Sequence, residues 1–378
     1  MKDVMSRPLV WTPVIRFDLV IIYRVYSQGL DMSDQTPKLT SLAHGGGCGC
    51  KIAPGVLSEL LSDLPVIQPF ADLLVGTETA DDAAVYRLNE DQALIATTDF
   101  FMPVVDDPFD FGRIAATNAL SDVYAMGGKP IFALAIVGMP INVLPAAVIR
   151  DILRGGQSVC QDAGIPIAGG HSIDSVEPIY GLVALGLAHP DHIRRNSEAK
   201  PGDVLVLGKP IGVGVYSAAL KKGVLDDQGY AAMIASTTHL NRAGSDLAQL
   251  DGVHAMTDVT GFGLLGHAHE MARATGLDLT VEHAAVPLLA QALSLAQAGS
   301  VTGASKRNWA SYGHAVTGKV TTDALWRDLL TDPQTSGGLL VACDPKALPA
   351  VLACFERQGT QAAVVGHVSA GSGLVHVV

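Results

Sequence analysis

The chain has 378 residues, 48% hydrophobic and 16% charged, with a formal net charge of −12. That length exceeds one ordinary core and predicts two domains. Aromatics at 5% and the acidic surplus argue against a stacking surface for single-stranded nucleic acid and a basic duplex-binding face. The acidic balance still admits an anionic substrate, because carboxylates can hold divalent cations that in turn hold phosphates.

Residues 1–31 do not match the rest. Their longest apolar run, Leu19-Val20-Ile21-Ile22-Tyr23, is flanked by Asp18 and Arg24, well below the ~20 residues of a membrane span. No clean signal-peptide core or small-residue cleavage site is evident. The expectation is an upstream extension or mis-assigned start ahead of Met32. Residues 1–36 as a whole would take no part in the fold. The five cysteines, at 48, 50, 160, 343 and 354, show no paired spacing, so a reducing cytoplasm is expected. Cys160, Cys343 and Cys354 sit in apolar contexts and read as buried small hydrophobes.

Residues 37–53 hold the stretch His44-Gly45-Gly46-Gly47-Cys48-Gly49-Cys50-Lys51. Its glycines bare the backbone where another molecule can approach, and permit φ > 0. A free thiol has a pKa near ~8.5, and the Lys51 ammonium with free backbone N–H groups would help ionise Cys48. The segment reads either as a nucleophile carrier that folds over an anionic substrate or as a flexible linker that contains cysteines. It is not a Walker A loop, since Ile52 follows Lys51 where Ser or Thr is required. No second Cys/His pair at finger spacing completes a zinc site with Cys48 and Cys50.

Pro54 to Leu64 predicts a helix, with apolar residues at 3–4 spacing after an N-terminal proline. Ala83–Tyr86 and Ala93–Thr98 predict strands, and Asp107-Pro108 or Asp110 can cap a helix from Phe111 to Met126, stopped by Gly127-Gly128. A strand over Ile131–Val137, a helix over Leu144–Ala163, and strands over Ile165–Ala168 and Tyr180–Leu187 follow. The charged, proline-bearing run His189–Gly202 marks a boundary between an N-terminal domain, 54–190, and a C-terminal α/β domain, 200–378. The second part predicts strands at Val204–Leu207, Val253–Met256, Leu339–Ala342, Ala363–Val368 and Leu374–Val378, with helices at Ala231–Gln249 and Gly263–Ala274. The alternation gives an α/β (α+β) fold class.

Carboxylates recur at predicted strand ends and turns. Asp81 and Asp82 adjoin in Glu78-Thr79-Ala80-Asp81-Asp82, and repel each other unless a cation or donors lie between them. A solvated turn is the alternative. Asp99 ends the Thr97-Thr98 strand, Asn118 and Asp122 share a helix face with Ser121 beside them, and Asp258 precedes a glycine-bracketed turn. Such a set suits hard, oxygen-ligated Mg²⁺ better than zinc. Gly169-Gly170-His171-Ser172 reads as a strand-end turn able to offer N–H groups to phosphate, or as a structural histidine. Lys129 and Arg113 are phosphate partners or solvated charges. His267 and His269, two apart on a helix, face different ways.

These motifs in this order resemble selenophosphate synthetase (selenide, water dikinase), from the cysteine loop and Glu78–Tyr86 through Thr97–Pro103, Phe111–Asp122, Gly169–Asp174 and Met256–His267 to Asp332–Gly338. The last motifs are shared with the wider aminoimidazole-ribotide-synthetase-like group. The resemblance implies the two-domain architecture of that group, an N-terminal dimerising half, and ATP bound between chains or domains. It implies the reaction ATP + selenide + water → selenophosphate + AMP + phosphate, a phosphotransfer with paired acceptors. It assigns catalysis to Cys48 and Lys51, and Mg²⁺ ligation to Asp82, Asp122 and Asp258. Nucleotide contacts fall to Lys51, Thr79, Ala80, Asp81, Asp99, Asp122, Gly170, His171 and Ser172. The implied partners are ATP, selenide, a second copy in a homodimer and a selenium-delivering protein, with neither nucleic acid nor membrane. An ATP-using relative acting on formyl-amidine or thiamine-type substrates, and a non-enzymatic selenium carrier, are the alternatives.

Overall fold

A computed structural model of the chain describes residues 37–52, 54–62, 70–77 and 81–378. The expected N-terminal extension, Leu64, Thr79 and Ala80 lie outside the described residues. The first half contains α1 (Pro54–Ser62), β1 (Leu73–Val75), β2 (Ala84–Arg87), β3 (Ala93–Phe101), α2 (Pro108–Ala125), β4 (Lys129–Met139), α3 (Ala146–Asp162), β5 (Ile167–Asp174) and β6 (Ile179–Ala188). The second opens with β7 (Val204–Leu207), α4 (Val213–Lys221), α5 (Asp227–Thr237), α6 (Ala243–Leu247), β8 (Val253–Asp258), α7 (Gly263–Thr275) and β9 (Asp278–Val281). It continues with α8 (Ala292–Gln297), α9 (Gly303–Tyr312), β10 (Val316–Gly318), α10 (Ala324–Leu330), β11 (Leu339–Cys343), α11 (Leu348–Arg357), β12 (Ala363–Ser369) and β13 (Val375–Val377).

Each half builds its own sheet, in the orders β1-β2-β3-β6-β4-β5 and β10-β13-β9-β12-β7-β11-β8. Antiparallel pairing predominates, β4–β5, β9–β13 and β10–β13 being parallel, so the chain stands on the α+β side of the expected class. β3 and β6 pair without interruption from Ala93↔Ala188 to Phe101↔Tyr180 and form the spine of the first sheet.

Against that spine lies α2, and its sequence dictates both ends. Asp107 caps it by accepting the Asp110 N–H at 2.8 Å, and Pro108 occupies the first turn. Gly127, at φ 83°, turns the chain out after Met126. Phe111, Ile114, Leu120 and Val123 are fully buried. α3 crosses α2 at backbone contact, because a Cβ at Gly112 would stand 1.9 Å from Ile152 O and one at Gly155 2.0 Å from Phe109 O. Only glycine permits that approach.

Three local expectations need correction. β3 runs on to Phe101, so Asp99 lies within the strand and, with Thr97, on its buried face. Gly169–Ser172 is no turn but the body of β5, paired with β4. A Cβ at Gly170 would meet Ala135 O at 2.0 Å, which gives that glycine a strand-packing reason. The single helix expected over 231–249 is two, α5 and α6. The Thr237 and Thr238 hydroxyls bond back to Met233 O and Ile234 O, and Asn241 in the break turns inward to Ser121 Oγ at 2.7 Å and Gly337 O at 2.8 Å. Between β6 and β7 the chain makes two short turns, and Asp81 Oδ1 accepts the Asn196 N–H there at 2.7 Å.

Candidate active site

Asp82 precedes β2, Asp122 lies on α2 and Asp258 ends β8, yet one carboxylate oxygen of each lies within 4.8 Å of the others. Thr97 Oγ1 donates to Asp122 Oδ2 at 2.5 Å and Thr257 Oγ1 to Asp82 Oδ1 at 2.8 Å, which fixes two of the rotamers. Ser121 bonds Asp258 and is itself fixed by Asn241. Burial pushes all three carboxyls above the usual range. Mutual repulsion adds to this for Asp82 and Asp122. Asp82 Oδ2 and Asp258 Oδ2 are buried without a hydrogen-bond partner. Three converging carboxylates with orphaned oxygens fit a divalent cation with hard oxygen ligands, such as Mg²⁺, and among the described residues no sulfur or imidazole joins them to favour zinc.

Above this cluster sits the cysteine loop. Gly47 N donates to Met102 O at 2.9 Å, and Cys48 N to Thr335 Oγ1 at 3.0 Å. Cys48 is 1% exposed, and its thiol donates to Asn118 Oδ1 at 3.2 Å. The same oxygen accepts Ser336 N at 2.7 Å, while Asn118 Nδ2 donates to Asp99 Oδ2 at 2.6 Å. Ser336 is held in the left-handed region, φ 53°, by this fit. Lys51 Nζ stands 3.9 Å from Asp99 Oδ2 and 6.0 Å from the Phe262 ring centroid. Burial alone would lower the Lys51 ammonium, but the Asp99, Asp122 and Asp258 carboxylates and the Cys48 sulfur raise it and keep it charged. The expectation of an eased Cys48 thiolate is corrected. Burial first, then Asp99, push this thiol well up, outweighing Lys51, and its hydrogen is directed at Asn118 Oδ1. Cys50 is half-buried and pushed up for the same first reason. Cys160, Cys343 and Cys354 are buried and unpaired, as expected.

Cys48, Lys51, Asp82, Asp99, Asp122 and Asp258 therefore converge. Gly170, His171 and Ser172 do not. They lie on β5 at the far edge of the first sheet and line a separate hollow of about 810 Å³ with Gln157 and Tyr180. Within one chain these three stand apart from the aspartates, because two strands separate β3 from β5. Asp81 faces the connection between the halves. Arg113 is engaged by Asp110 and Thr238, each at 3.1 Å, and so ties α2 to the end of α5; Lys129 is exposed at the start of β4. His267 pairs with Glu270 at 2.9 Å, whereas His269 sits against Tyr312 and His314, so the two do look different ways.

Sequence reasoning missed Thr335 and Ser336 as supports of the loop, although their motif was visible. It also missed Lys209, a fully buried lysine lowered by burial to about 7, whose Nζ donates to His239 O at 2.6 Å and Ser336 O at 2.9 Å. An isolated lysine after a short strand carries no signal of such a role.

Residues 80–188 match the family described as AIR synthase related protein, N-terminal domain, and residues 200–378 match its C-terminal domain. The chain is 68% identical over 342 residues to the selenide, water dikinase of Burkholderia pseudomallei strain K96243, spanning 90% of this chain and 97% of that protein. It is 66% identical over 348 residues to the Pseudomonas straminea protein of the same name, spanning 91% and 97%. Among solved structures, thiamine-monophosphate kinase from Stenotrophomonas maltophilia K279a superimposes with a TM-score of 0.60 over 81% of this chain and 91% of that one. At 19% identity that likeness concerns the fold alone. The high identities run through nine-tenths of the molecule and agree with both domain matches: this chain belongs to the selenide, water dikinase family.

Proposed function

We propose that the chain makes selenophosphate from ATP, selenide and water, releasing AMP and orthophosphate. In the first step selenium attacks the γ-phosphorus in line. A Se–P bond forms, and the bond from that phosphorus to its bridging oxygen breaks, leaving ADP. In the second, water adds its oxygen to the β-phosphorus, and AMP leaves with the bond electrons on its phosphate. The observation that carries this reading is the meeting of a cysteine-lysine loop with three carboxylates drawn from both halves of the chain. Phosphoryl transfer is mainly positioning and charge neutralisation, which such an arrangement supplies.

Asp82, Asp122 and Asp258 would hold the Mg²⁺. When bound, the ion neutralises polyphosphate oxygens and orients them for attack. Lys51, 40% exposed, adds a positive charge that travels with the loop. Cys48, its thiol proton directed at Asn118, lines the place where selenide would bind non-covalently beside the γ-phosphate, and the closed loop excludes water from the first step. Thr79, Ala80, Asp81 and Asp99 line the nucleotide together with Gly170, His171 and Ser172. The last three reach it from a second copy, so the working unit is a homodimer. The division at 190–200 separates a dimerising domain from a C-terminal one. Among the described residues no helix is long and apolar enough to cross a membrane, and five unpaired cysteines fit a cytoplasmic enzyme. A selenium-delivering protein is its upstream partner. A formyl-amidine or thiamine-type enzyme leaves Cys48 and Lys51 without work, and a selenium carrier leaves the carboxylates without any.

Chromatography of ATP, Mg²⁺ and protein, with and without selenide, tests the reaction. AMP should accumulate only with selenide; equal AMP in both samples refutes it.

A further inference from the structure

The cysteine loop is clamped between the halves: Thr40, His44, Gly47, Cys48 and Lys51 meet the first half at Asp106, Glu177, Met102, Asn118 and Asp99, and three further anchors come from the second half. Lys221 Nζ reaches Gly45 O at 3.4 Å, Thr335 Oγ1 accepts Cys48 N at 3.0 Å, and Arg307 Nη2 donates to Gly49 O at 2.9 Å. Arg307 and Asn308 are neighbours on α9, and they hold the two strips of backbone that meet over the site. Asn308 is 4% exposed and donates from Nδ2 to Gly261 O at 2.9 Å and Thr331 O at 3.0 Å, fixing the loop that follows Asp258. Gly261 is where the cysteine loop lands. A Cβ there would lie 2.6 Å from Cys48 O and 3.1 Å from Lys51 Cδ, so no side chain fits between them. One short helix thus sets both faces of this contact, through adjacent residues. Ala304, one turn earlier, supports Gly49 at ordinary packing distance, 3.7 Å from the position of a Cβ there.

We infer that Arg307 is a positioning residue for the phosphoryl transfer. Its guanidinium holds the Gly49 carbonyl, which seats Cys48 over the aspartates and keeps the loop shut while selenium and phosphorus are joined. Among the described residues Arg307 makes no hydrogen bond or ion pair with Cys48 Sγ, Lys51 or the carboxylates, so it acts through the loop backbone. The guanidinium is a charged donor, and because the bond is exposed to solvent, competition with water reduces its strength. The inference rests on the reading of Cys48 as the residue the loop delivers, and it makes α9 one of the seats that keep the site sealed.

Two readouts test it on the full-length protein. The first is the rate at which iodoacetamide modifies Cys48 without nucleotide or selenide, followed peptide by peptide by mass spectrometry. Arg307→Met keeps the apolar stem but loses the donor, and should speed Cys48 modification roughly tenfold, the factor equivalent to about 1.4 kcal/mol of lost closure. Arg307→Lys should restore most of the protection, with melting temperatures unchanged in both variants. The second readout is the yield of selenophosphate per AMP, which should fall in Arg307→Met and recover in Arg307→Lys. Wild-type modification rates and yield in Arg307→Met would overturn the inference. The modification assay needs no turnover, so a wild-type protein that made no AMP would refute the proposed reaction and leave this comparison standing.

Discussion

Asn118 shows what a single side chain contributes here. Its carbonyl oxygen accepts both the Cys48 thiol and Ser336 N, while its amide donates to Asp99, which in turn faces Lys51. One residue on α2 therefore joins the loop, the first sheet and the C-terminal half. Its presence on the same helical face as Asp122 was visible from four-residue spacing, but its partners were not, since they come from 70 and 218 positions away. The carboxylates were more legible: adjacent aspartates ahead of a strand, and aspartates after apolar runs, carry chemistry in their own residue type. Their orphaned oxygens lead to a direct prediction. Asp82→Asn replaces a charged ligand by a neutral one and should raise the Mg²⁺ concentration for half-maximal AMP formation by about tenfold or more, as loss of about 1.4 kcal/mol of ion binding would. An unchanged Mg²⁺ titration contradicts the ligand role.

Among elements, those with strong local signals were foreseen, and those defined by distant partners were not. α2 carries its own cap, proline and glycine stop, and its expected and observed ranges differ by a few residues. The broken helix at 238–242 was missed because Asn241 leaves the helix for partners on α2 and in the Gly337 turn. Glycines usually signal a turn, which hides β5 from the sequence, whereas here Gly170 admits close strand contact. α4 and α9 were not foreseen at all, and α4 begins in an uncommon way. Its first N–H groups are met by the side chains of Gln334 and Asp332: Gln334 Oε1 accepts Gly212 N at 3.0 Å and Val213 N at 3.1 Å, and Asp332 Oδ2 accepts Val215 N at 3.2 Å. Burial raises the Asp332 carboxyl to about 7 despite these donors. An aspartate raised on folding favours the folded state below its unfolded pKa of ~3.9, and that advantage is lost as pH rises toward the folded value. Wild type should therefore lose melting temperature relative to Asp332→Asn between pH 4 and about 7, with a constant difference above that. A difference independent of pH would show that Asp332 does not titrate in this range.

At the scale of the whole molecule, composition correctly anticipated two halves, and the resemblance anticipated their family. What neither could convey is that the cysteine loop is held between the two halves, or that Gly170, His171 and Ser172 lie on a sheet edge away from the aspartates of their own chain. The second fact motivates the homodimer. Sedimentation velocity should give a species of about twice the 39.3 kDa chain mass, and a monomer at assay concentrations would remove the shared nucleotide site. In the proposed reaction a closed cysteine loop brings selenide to an ATP whose phosphates would be held through Mg²⁺ on three aspartates. Phosphorus NMR of ATP, Mg²⁺ and selenide tests it most directly when wild type and Cys48→Ser are run side by side. Wild type should give selenophosphate and AMP, and Cys48→Ser should leave ATP intact; both products at the wild-type rate from Cys48→Ser would refute the role of the thiol.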